Sequence, residues 1–580
     1  MPVPDSTAVV AAEIEEETKS DASAIPVEAN LEKWRRIICR LHGASHCEMA
    51  GCPSTSYLLR ASFALWAVLL AGLPPASAQP PDSETRRLAA FQAPPTLSFQ
   101  DLIDLASQDP SPPAVEARLE RLLSEPFISN EATLEGAAPK RPRVTGVPML
   151  RVAEWNINRG VNFAEIESAL SGGTRLLRDA ENLESKQRRV LREELEHLAQ
   201  ADVIVLDEVD MGEKRTNYRD VTRDLARALR MNYVYGVEFI ELERIYLGVK
   251  KLDSPDLPRQ RSAEETFGVN PKRYLGLEGA ALLSRYPIRS AKIVRLPDVY
   301  DWYHGEIEQI SDLERIKRWS AEKLFDEQVK RQVRRGGRMA LVVDLDVPES
   351  PTGLVTLICP HLEDYSPPKG RRKQMDYLLE RISQIGNPTV IAGDLNTMGH
   401  NQAPTSVKKI ILEHLTDYRF WVKEAILYLN PVGVYNYLLY PLNYFKNYHD
   451  PTALNFYFLL PNHEKPLFND IRDFRFDDDA GFDFEGNKAR SFRRKGRTLS
   501  DSSQRAWKGF STTFAFNRPL FHLVGHYQLD WFFVKPVRNS LFISYFGRTL
   551  REVDEAVAGR ISDHYPITVD LPLALMNRRQ

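Results

Sequence analysis

The sequence predicts an α/β fold, on three observations. From Met149 onward, short apolar runs that are too short for helices stop abruptly at Asn, Asp, Glu or His: "MLRVAEWNINRG", "ADVIVLDEVD", "LVTLICPHLED", "PTVIAGDLNTM" and "YQLDWFFVKP". Between them lie stretches with apolar residues at helical spacing, such as "ENLESKQRRVLREELEHLAQ" at 181–200 and "RRKQMDYLLERISQ" at 371–384. No unit of 20 residues or more recurs, which excludes a repeat array. Strands alternating with helices gather functional groups at strand ends and in the loops beyond them. The polar stops are therefore expected to form one site.

At 580 residues the chain is too long for one ordinary core, so a large domain with insertions or two to three domains is expected. Residues 1–78 carry 6 Lys+Arg and 9 Asp+Glu of the chain's 76 and 79, which leaves 70 of each in the remainder. A neutral body argues against a generally basic nucleic-acid binder, while leaving room for a local basic strip.

Along the chain, residues 1–48 read as a polar extension without fixed structure or an upstream mis-assigned start. Residues 49–78 read as a signal peptide. Arg60 precedes the apolar run Ala61–Leu73, the helix-breaking Pro74-Pro75 follows, and Ala76-Ser77-Ala78 offers a small-x-small cleavage site before Gln79. The run is shorter than the ~20 residues of a spanning helix, so no stable membrane span is expected. A periplasmic or secreted protein follows from this reading. Cleavage would leave Cys359 as the one cysteine of the mature chain, which then has no internal disulfide.

Residues 79–146 read as a Pro-rich lead with one or two short helices such as "VEARLERLLSE", closed by the linker "GAAPKRPRVTGVP". The main domain is placed at 147–575, with an insertion at about 400–512. That insertion is Tyr-rich in "PVGVYNYLLYPLNYFKNYHDPTALNFYFLLP", a composition suited to a small core, to stacking on bases or to a lipid interface. The acids of "FRFDDDAGFDFEG" lack the spacing of a known Ca²⁺ loop and read as a solvated turn. At 488–497, Lys488, Arg490, Arg493, Arg494, Lys495 and Arg497 form a charged loop or a contact for an anionic surface.

The residues at the polar stops are Asn156, Glu208, His361, Asp394, Asn396, Asp530, Asp563 and His564. Singly, each has an ordinary explanation as a turn or strand end. Together they supply carboxylate and amide oxygens without thiolates, which suit Mg²⁺, Mn²⁺ or Ca²⁺. Two histidines add acid–base capacity or hydrogen bonds to a charged oxygen. A hard cation with imidazoles and few lysines is the chemistry of phosphoester hydrolysis.

The ordered series "EWNINRG", "VLDEVD", "GLEGAALLSRYPI", "CPHLED", "AGDLNTM", "QLDWFFV" and "SDHYPI" also resembles the motifs of the endonuclease/exonuclease/phosphatase (DNase I-like) superfamily. The resemblance implies a two-sheet, four-layered α/β sandwich of DNase I-like type carrying a large insertion. It implies that Asn156, Glu208 and Asp563 bind the metal, Mg²⁺ or Mn²⁺. His564 would be the base-side histidine, oriented by Asp530. Asp394 would align or deprotonate the water, Asn396 would hold a phosphate oxygen, and His361 would stabilise the pentacovalent phosphorus or assist departure. Two positions depart from the pattern: Asp207 stands where Gln is usual, and Asn158 where some nucleases have Asp.

The expected function is an exported metal-dependent phosphoesterase acting on a phosphodiester or phosphomonoester by in-line attack of an activated water. Lipid, inositol phosphate and nucleic acid stay open as substrates. The rival from another class is a catalytically silent binding module on the same fold, which would lack Glu208, Asp394 or His564; all three are present.

Overall fold

The computed structural model describes residues 90–144, 146–244, 246–249, 268–307, 333–398, 455–456, 460–461, 463–482, 512–515, 526–535, 545–546, 549–556 and 561–573. The 1–48 and 49–78 segments, most of the 400–512 insertion and the basic stretch at 488–497 lie outside the described residues. No helix among the described residues is long and apolar enough to cross a membrane.

In chain order the strands begin with β1 (Phe91–Gln92), β2 (Phe127–Ser129), β3 (Arg143–Val144), β4 (Val147–Arg159), β5 (Val203–Met211) and β6 (Asn232–Glu241). Next come β7 (Leu277–Ser284), β8 (Ile288–Arg295), β9 (Arg334–Gly336), β10 (Met339–Asp346), β11 (Leu354–Pro360) and β12 (Thr389–Asp394). The last are β13 (Asn455–Phe456), β14 (Leu460–Pro461), β15 (Phe514–Ala515), β16 (His526–Tyr527), β17 (Asp530–Lys535), β18 (Tyr545–Phe546) and β19 (Ile567–Pro572). The principal helices are α1 (Phe99–Ser107), α2 (Pro113–Ser124), α3 (Phe163–Leu170), α4 (Ser185–Ala199), α5 (Val221–Leu229), α6 (Pro368–Ile382) and α7 (Lys465–Asp473).

Two sheets carry the fold. The ten-stranded one runs β1-β2-β6-β7-β5-β4-β19-β18, with β3 on β4 and β9 on β6; the five-stranded one runs β17-β12-β11-β10-β8. The β4·β5 and β11·β12 pairs are parallel, and each is bridged by helices, as a parallel connection requires.

The two-residue period of the strands sorts their side chains into layers. Leu150 and Val152 of β4, with Val203 and Val205 of β5, meet Val390, Ala392, Phe532 and Val534 of the opposing sheet in a buried inter-sheet core. The alternate residues Ala153, Trp155, Ile157, Ile204 and Leu206 face the helices, where Leu191, Leu195 and Leu198 of α4 form the inward stripe of an amphipathic helix. On the far side, Met375, Leu378 and Ile382 of α6 and Leu467, Phe468 and Ile471 of α7 cover Ile358, Ile391, Trp531 and Phe533. The result is the four-layered sandwich, helix over sheet over sheet over helix.

Within the insertion, residues 463–482 belong to the outer layer. Helix α7 packs on α6, and Phe474, Phe476 and Phe482 pack against the second sheet. Arg371 pairs with Glu464 in full burial, and Arg372 pairs with Asp470. Of the acids in "FRFDDDAGFDFEG", Asp478 takes the Lys535 ammonium at 2.8 Å.

Where the sequence reads a helical lead and linker, residues 90–144 add strands and helices to the first layer. Strand β2 extends the large sheet at β6, and Leu102, Leu105, Leu119 and Leu122 of α1 and α2 enter its helix-side core. Strands of two or three residues carry no readable period, which is why composition alone reports a lead.

Candidate active site

The inter-sheet layer changes from apolar to polar at one end, and the same strand period that builds the core builds the site. On β4 the inward positions run Leu150, Val152, Glu154, Asn156; on β5 they run Val203, Val205, Asp207. On β12 they run Val390, Ala392, Asp394, and on β17, read backwards, Val534, Phe532, Asp530. Asp394 and Asp530 are directly opposed in the β12·β17 register.

Local backbone then re-aims the terminal residues. The β4·β5 ladder is irregular between Asn156 and Arg159, and the β5·β7 ladder between Leu206 and Val209. Asn158, Arg159 and Glu208 occupy the left-handed region at φ 45°, 65° and 51°. A bulge of this kind turns a side chain out of the alternation, and non-glycine residues held there store strain that recurs at functional sites. Gly393 meets a different demand: a Cβ there would lie 2.1 Å from the Pro360 carbonyl oxygen, so β12 can approach β11 at Asp394 only without a side chain.

All eight residues expected from the sequence meet here. The Asn156 amide donates at 3.2 Å to both Glu208 Oε1 and Asp394 Oδ2. His564 Nδ1 sits 2.8 Å from Asp530 Oδ2, leaving Nε2 3.7 Å from Asp394 Oδ2. His361 Nε2 approaches the same Asp394 oxygen at 4.0 Å. Asp394 Oδ1 accepts from the Asn396 backbone at 2.8 Å, and the Asn396 side chain, with φ 49° at its own backbone, donates to Leu362 O at 2.9 Å. That amide thus ties down the segment carrying His361, besides whatever it offers a substrate. Asp563 lies next to His564 on a loop held by Ser562, whose hydroxyl donates to Asn156 O at 2.7 Å. Trp155 fixes the same loop through Nε1 to His564 O at 3.0 Å.

Several members of the cluster were given no site role from the sequence. Glu238 lies at 3.2 Å from His361 Nδ1, so each of the two histidines rests on a buried carboxylate. Arg338 bonds Glu238 at 2.9 Å and Asp364 at 2.8 Å, and its Nη1 stands 2.8 Å from Nδ1 and 3.0 Å from Nε2 of the same imidazole. Glu154 is fully buried beside the Asp530 carboxyl, and among the described residues no donor reaches either of its oxygens; Asp207 Oδ1 likewise meets no donor among them, while its Oδ2 accepts from Asp394 N at 2.9 Å. The available signal was an acid in mid-strand: Glu238 interrupts "NYVYGVEFIE" and Glu154 interrupts "LRVAEWN". Charged residues are seldom fully buried without a reason.

The electrostatics follow from crowding acids out of water. Burial, then Asp530, Asp207 and Asp394, raise the Glu154 carboxyl well above its ordinary value. Burial pushes Asp207 up to about 8, with Asp394 and Glu238 adding to it against the pull of His361. Burial and Asp530 raise Asp394, and burial raises Asp563. Both histidines shift towards the imidazolium. For His564, burial opposes the charge, and Asp530 with Asp394 outweighs it; for His361, burial and Arg338 oppose and Glu238 outweighs them, to about 9.

This donor set fits a hard divalent cation. Ligand atoms of Asp394, Asp530 and His564 all lie within 4.8 Å of one another, and beside them stand the Glu208 carboxylate, bonded to Asn156, and Asp563, next to His564. Oxygen donors without thiolates are the ligands a hard cation takes.

Residues 153–564 match the model of the Endonuclease/Exonuclease/phosphatase family, and the chain belongs to that family of phosphoric ester hydrolases. Among solved structures it is similar to an endonuclease/exonuclease/phosphatase from Beutenbergia cavernae DSM 12333, at 16% identity over 73% of this chain and 71% of that one, with a TM-score of 0.28. It is similar also to a 3'-5' exonuclease from Neisseria meningitidis, at 12% identity over 73% and 99%, TM-score 0.33. A third is ANGEL2, a 2',3'-cyclic phosphatase, at 13% identity over 74% and 96%, TM-score 0.32. The curated proteins include no match.

Proposed function

We propose that the protein is an exported, divalent-metal-dependent phosphoesterase. The observation that carries this reading is the meeting of two carboxylate-held histidines and the Asn156–Glu208 pair around one aspartate, Asp394. A cation bound by Asn156, Glu208 and Asp563, Mg²⁺ or Mn²⁺, would neutralise charge on the phosphoryl group. Asp394 aligns the attacking water and accepts its proton. His564, fixed by Asp530 through Nδ1, presents Nε2 to the phosphoryl oxygens, and His361, held between Glu238 and the Arg338 guanidinium, stands beside Asp394 as the second histidine. Pre-aimed donors of this kind stabilise charge as it develops.

Full retention of Glu208, Asp394 and His564 in bonded geometry speaks against a silent binding module. The substrate class stays at phosphoesters. The test is purified chain 79–580 assayed on DNA, RNA, sphingomyelin, inositol phosphates and bis-(p-nitrophenyl) phosphate with Mg²⁺, Mn²⁺ or EDTA. Activity abolished by EDTA on at least one of them is expected; metal-independent or absent activity on all would sink the proposal. Export rests on the Arg60, apolar and Ala-Ser-Ala succession. Expression from Met49 in a Gram-negative host should give a chain beginning near Gln79, and an unprocessed cytosolic chain would remove that part.

A further inference from the structure

Four arginines stand beside the catalytic cluster, and three are closely engaged. Arg215 grips Asp210 through two nitrogens at 2.7 Å and Glu241 through a third at 2.7 Å. Arg338 bonds Glu238 and Asp364. Arg334 bonds Glu278 at 2.9 Å with its guanidinium between two rings, 4.0 Å from the centre of Phe239 and 3.6 Å from that of Trp302.

Arg159 differs. Its Nε donates to Glu278 Oε2 at 3.1 Å, while its Nη2 stands 3.9 Å from Glu208 Oε2, beyond hydrogen-bond reach. No other acceptor meets its outer edge among the described residues. The left-handed turn at Asn158 and Arg159 places the residue opposite Val209 in the ladder, next to Glu208. Its charge is also felt at Asp563. A guanidinium anchored along one edge offers the other as a rigid fork, a geometry that matches a phosphoryl group.

We propose that Arg159 is a substrate-binding residue whose outer guanidinium edge takes a non-bridging oxygen of the substrate's phosphoryl group. The inference rests on the phosphoesterase reading and narrows it, because it assigns a cation of the chain itself to the reacting anion. The rival role is a local one, in which Arg159 only balances the charge of Glu208.

Inorganic phosphate is the probe, titrated calorimetrically into the full chain in Mg²⁺, at fixed ionic strength, alongside a Mg²⁺ titration of each variant. Arg159→Ala should weaken phosphate binding about tenfold or more. Arg159→Lys should fall between, since it keeps the charge and loses the fork. Mg²⁺ affinity should stay close to that of the wild type. Equal phosphate affinity in wild type and Arg159→Ala overturns the inference, as does a wild type that binds no phosphate. So does a loss that extra Mg²⁺ restores, which assigns Arg159 to Glu208 alone. Should Arg159→Ala lose its cooperative melting, Arg159→Lys decides: unchanged phosphate affinity counts against the proposal. Failure of the activity reading looks different, as a wild type that binds phosphate through Arg159 yet cleaves no ester.

Discussion

At the scale of single residues, the two histidines are defined by what holds them. Asp530 accepts from Nδ1 of His564 at 2.8 Å, which fixes the ring and leaves one nitrogen for chemistry. His564→Ala should therefore lower kcat roughly 10²-fold or more without rescue by added metal. Asp530→Asn should give a milder form of the same defect, because the amide still hydrogen-bonds but lacks the charge. Steady-state kinetics of the double variant should be strongly non-additive, and fully additive losses would show that the pair does not act as a unit. His361 offers a second test, in stability. Burial and Arg338 disfavour its imidazolium, Glu238 outweighs them, and the pKa rises to about 9, against about 6.5 in an unfolded chain. The folded state binds this proton more tightly, so the contribution is complete below about pH 6.5 and is lost as pH climbs through about 9. Denaturant unfolding of wild type and His361→Gln should show an advantage for wild type that is largest in mild acid and shrinks across that interval. A gap that widens with pH would contradict the Glu238–His361 pairing.

At the scale of elements, the site is a consequence of strand period meeting strand end. Gly393 shows how narrow the tolerance is, since the Pro360 carbonyl occupies the place of its missing Cβ. Gly393→Ala should destabilise the fold by about 1–3 kcal/mol, as overpacking does, and should reduce activity further by shifting Asp394; unchanged melting and turnover would refute the crowding. The same period explains what the sequence disclosed. Asn156, Glu208, His361, Asp394, Asp530 and His564 were legible because each stands at one end of an apolar run, Asp530 and His564 ahead of theirs, and the order of the motifs joined them. Glu238 was not, because it lies inside β6 with buried residues on both sides, where a reader of strand ends does not look. Glu154 and Asp207 were missed as site members for a related reason. Which face of a strand looks at the other sheet is set by tertiary register, and a one-residue slip would have turned both acids towards the helices. Arg338 depends on a loop between β9 and β10 whose path no local pattern specifies.

At the scale of the whole molecule, residues 90–144 are part of the machine that holds the site. Strand β2 pairs with β6, the strand carrying Glu238, through Phe127–Tyr235, Ile128–Val234 and Ser129–Tyr233. Asn130 makes a reciprocal pair of bonds with the Ile288 backbone at 2.8 and 3.1 Å. Glu116 of α2 pairs with Arg335 at 3.0 Å, next to Arg334, and Tyr303 reaches back to Leu105 O at 3.0 Å. These contacts brace β6, β8 and β9 from outside, and the segments they brace deliver Glu238 and Arg334 to the interior. A chain cut at 147, where composition first turns to strands, would bare the β6 edge and uncover the partners of Leu102, Leu105, Leu119, Leu122 and Phe127, all buried. Each such side chain contributes about 1.5–3 kcal/mol when fully buried. Their sum is comparable with the ~5–15 kcal/mol that stabilises an ordinary domain. An exposed strand edge also invites pairing between molecules. Residues 147–580 expressed alone should therefore aggregate or melt without a cooperative transition, whereas residues 79–580 should unfold in a single sharp one. Calorimetry with size-exclusion chromatography would decide the matter: a monomeric 147–580 with the melting temperature and activity of the longer chain would show that the lead is only attached to the fold and does not support it.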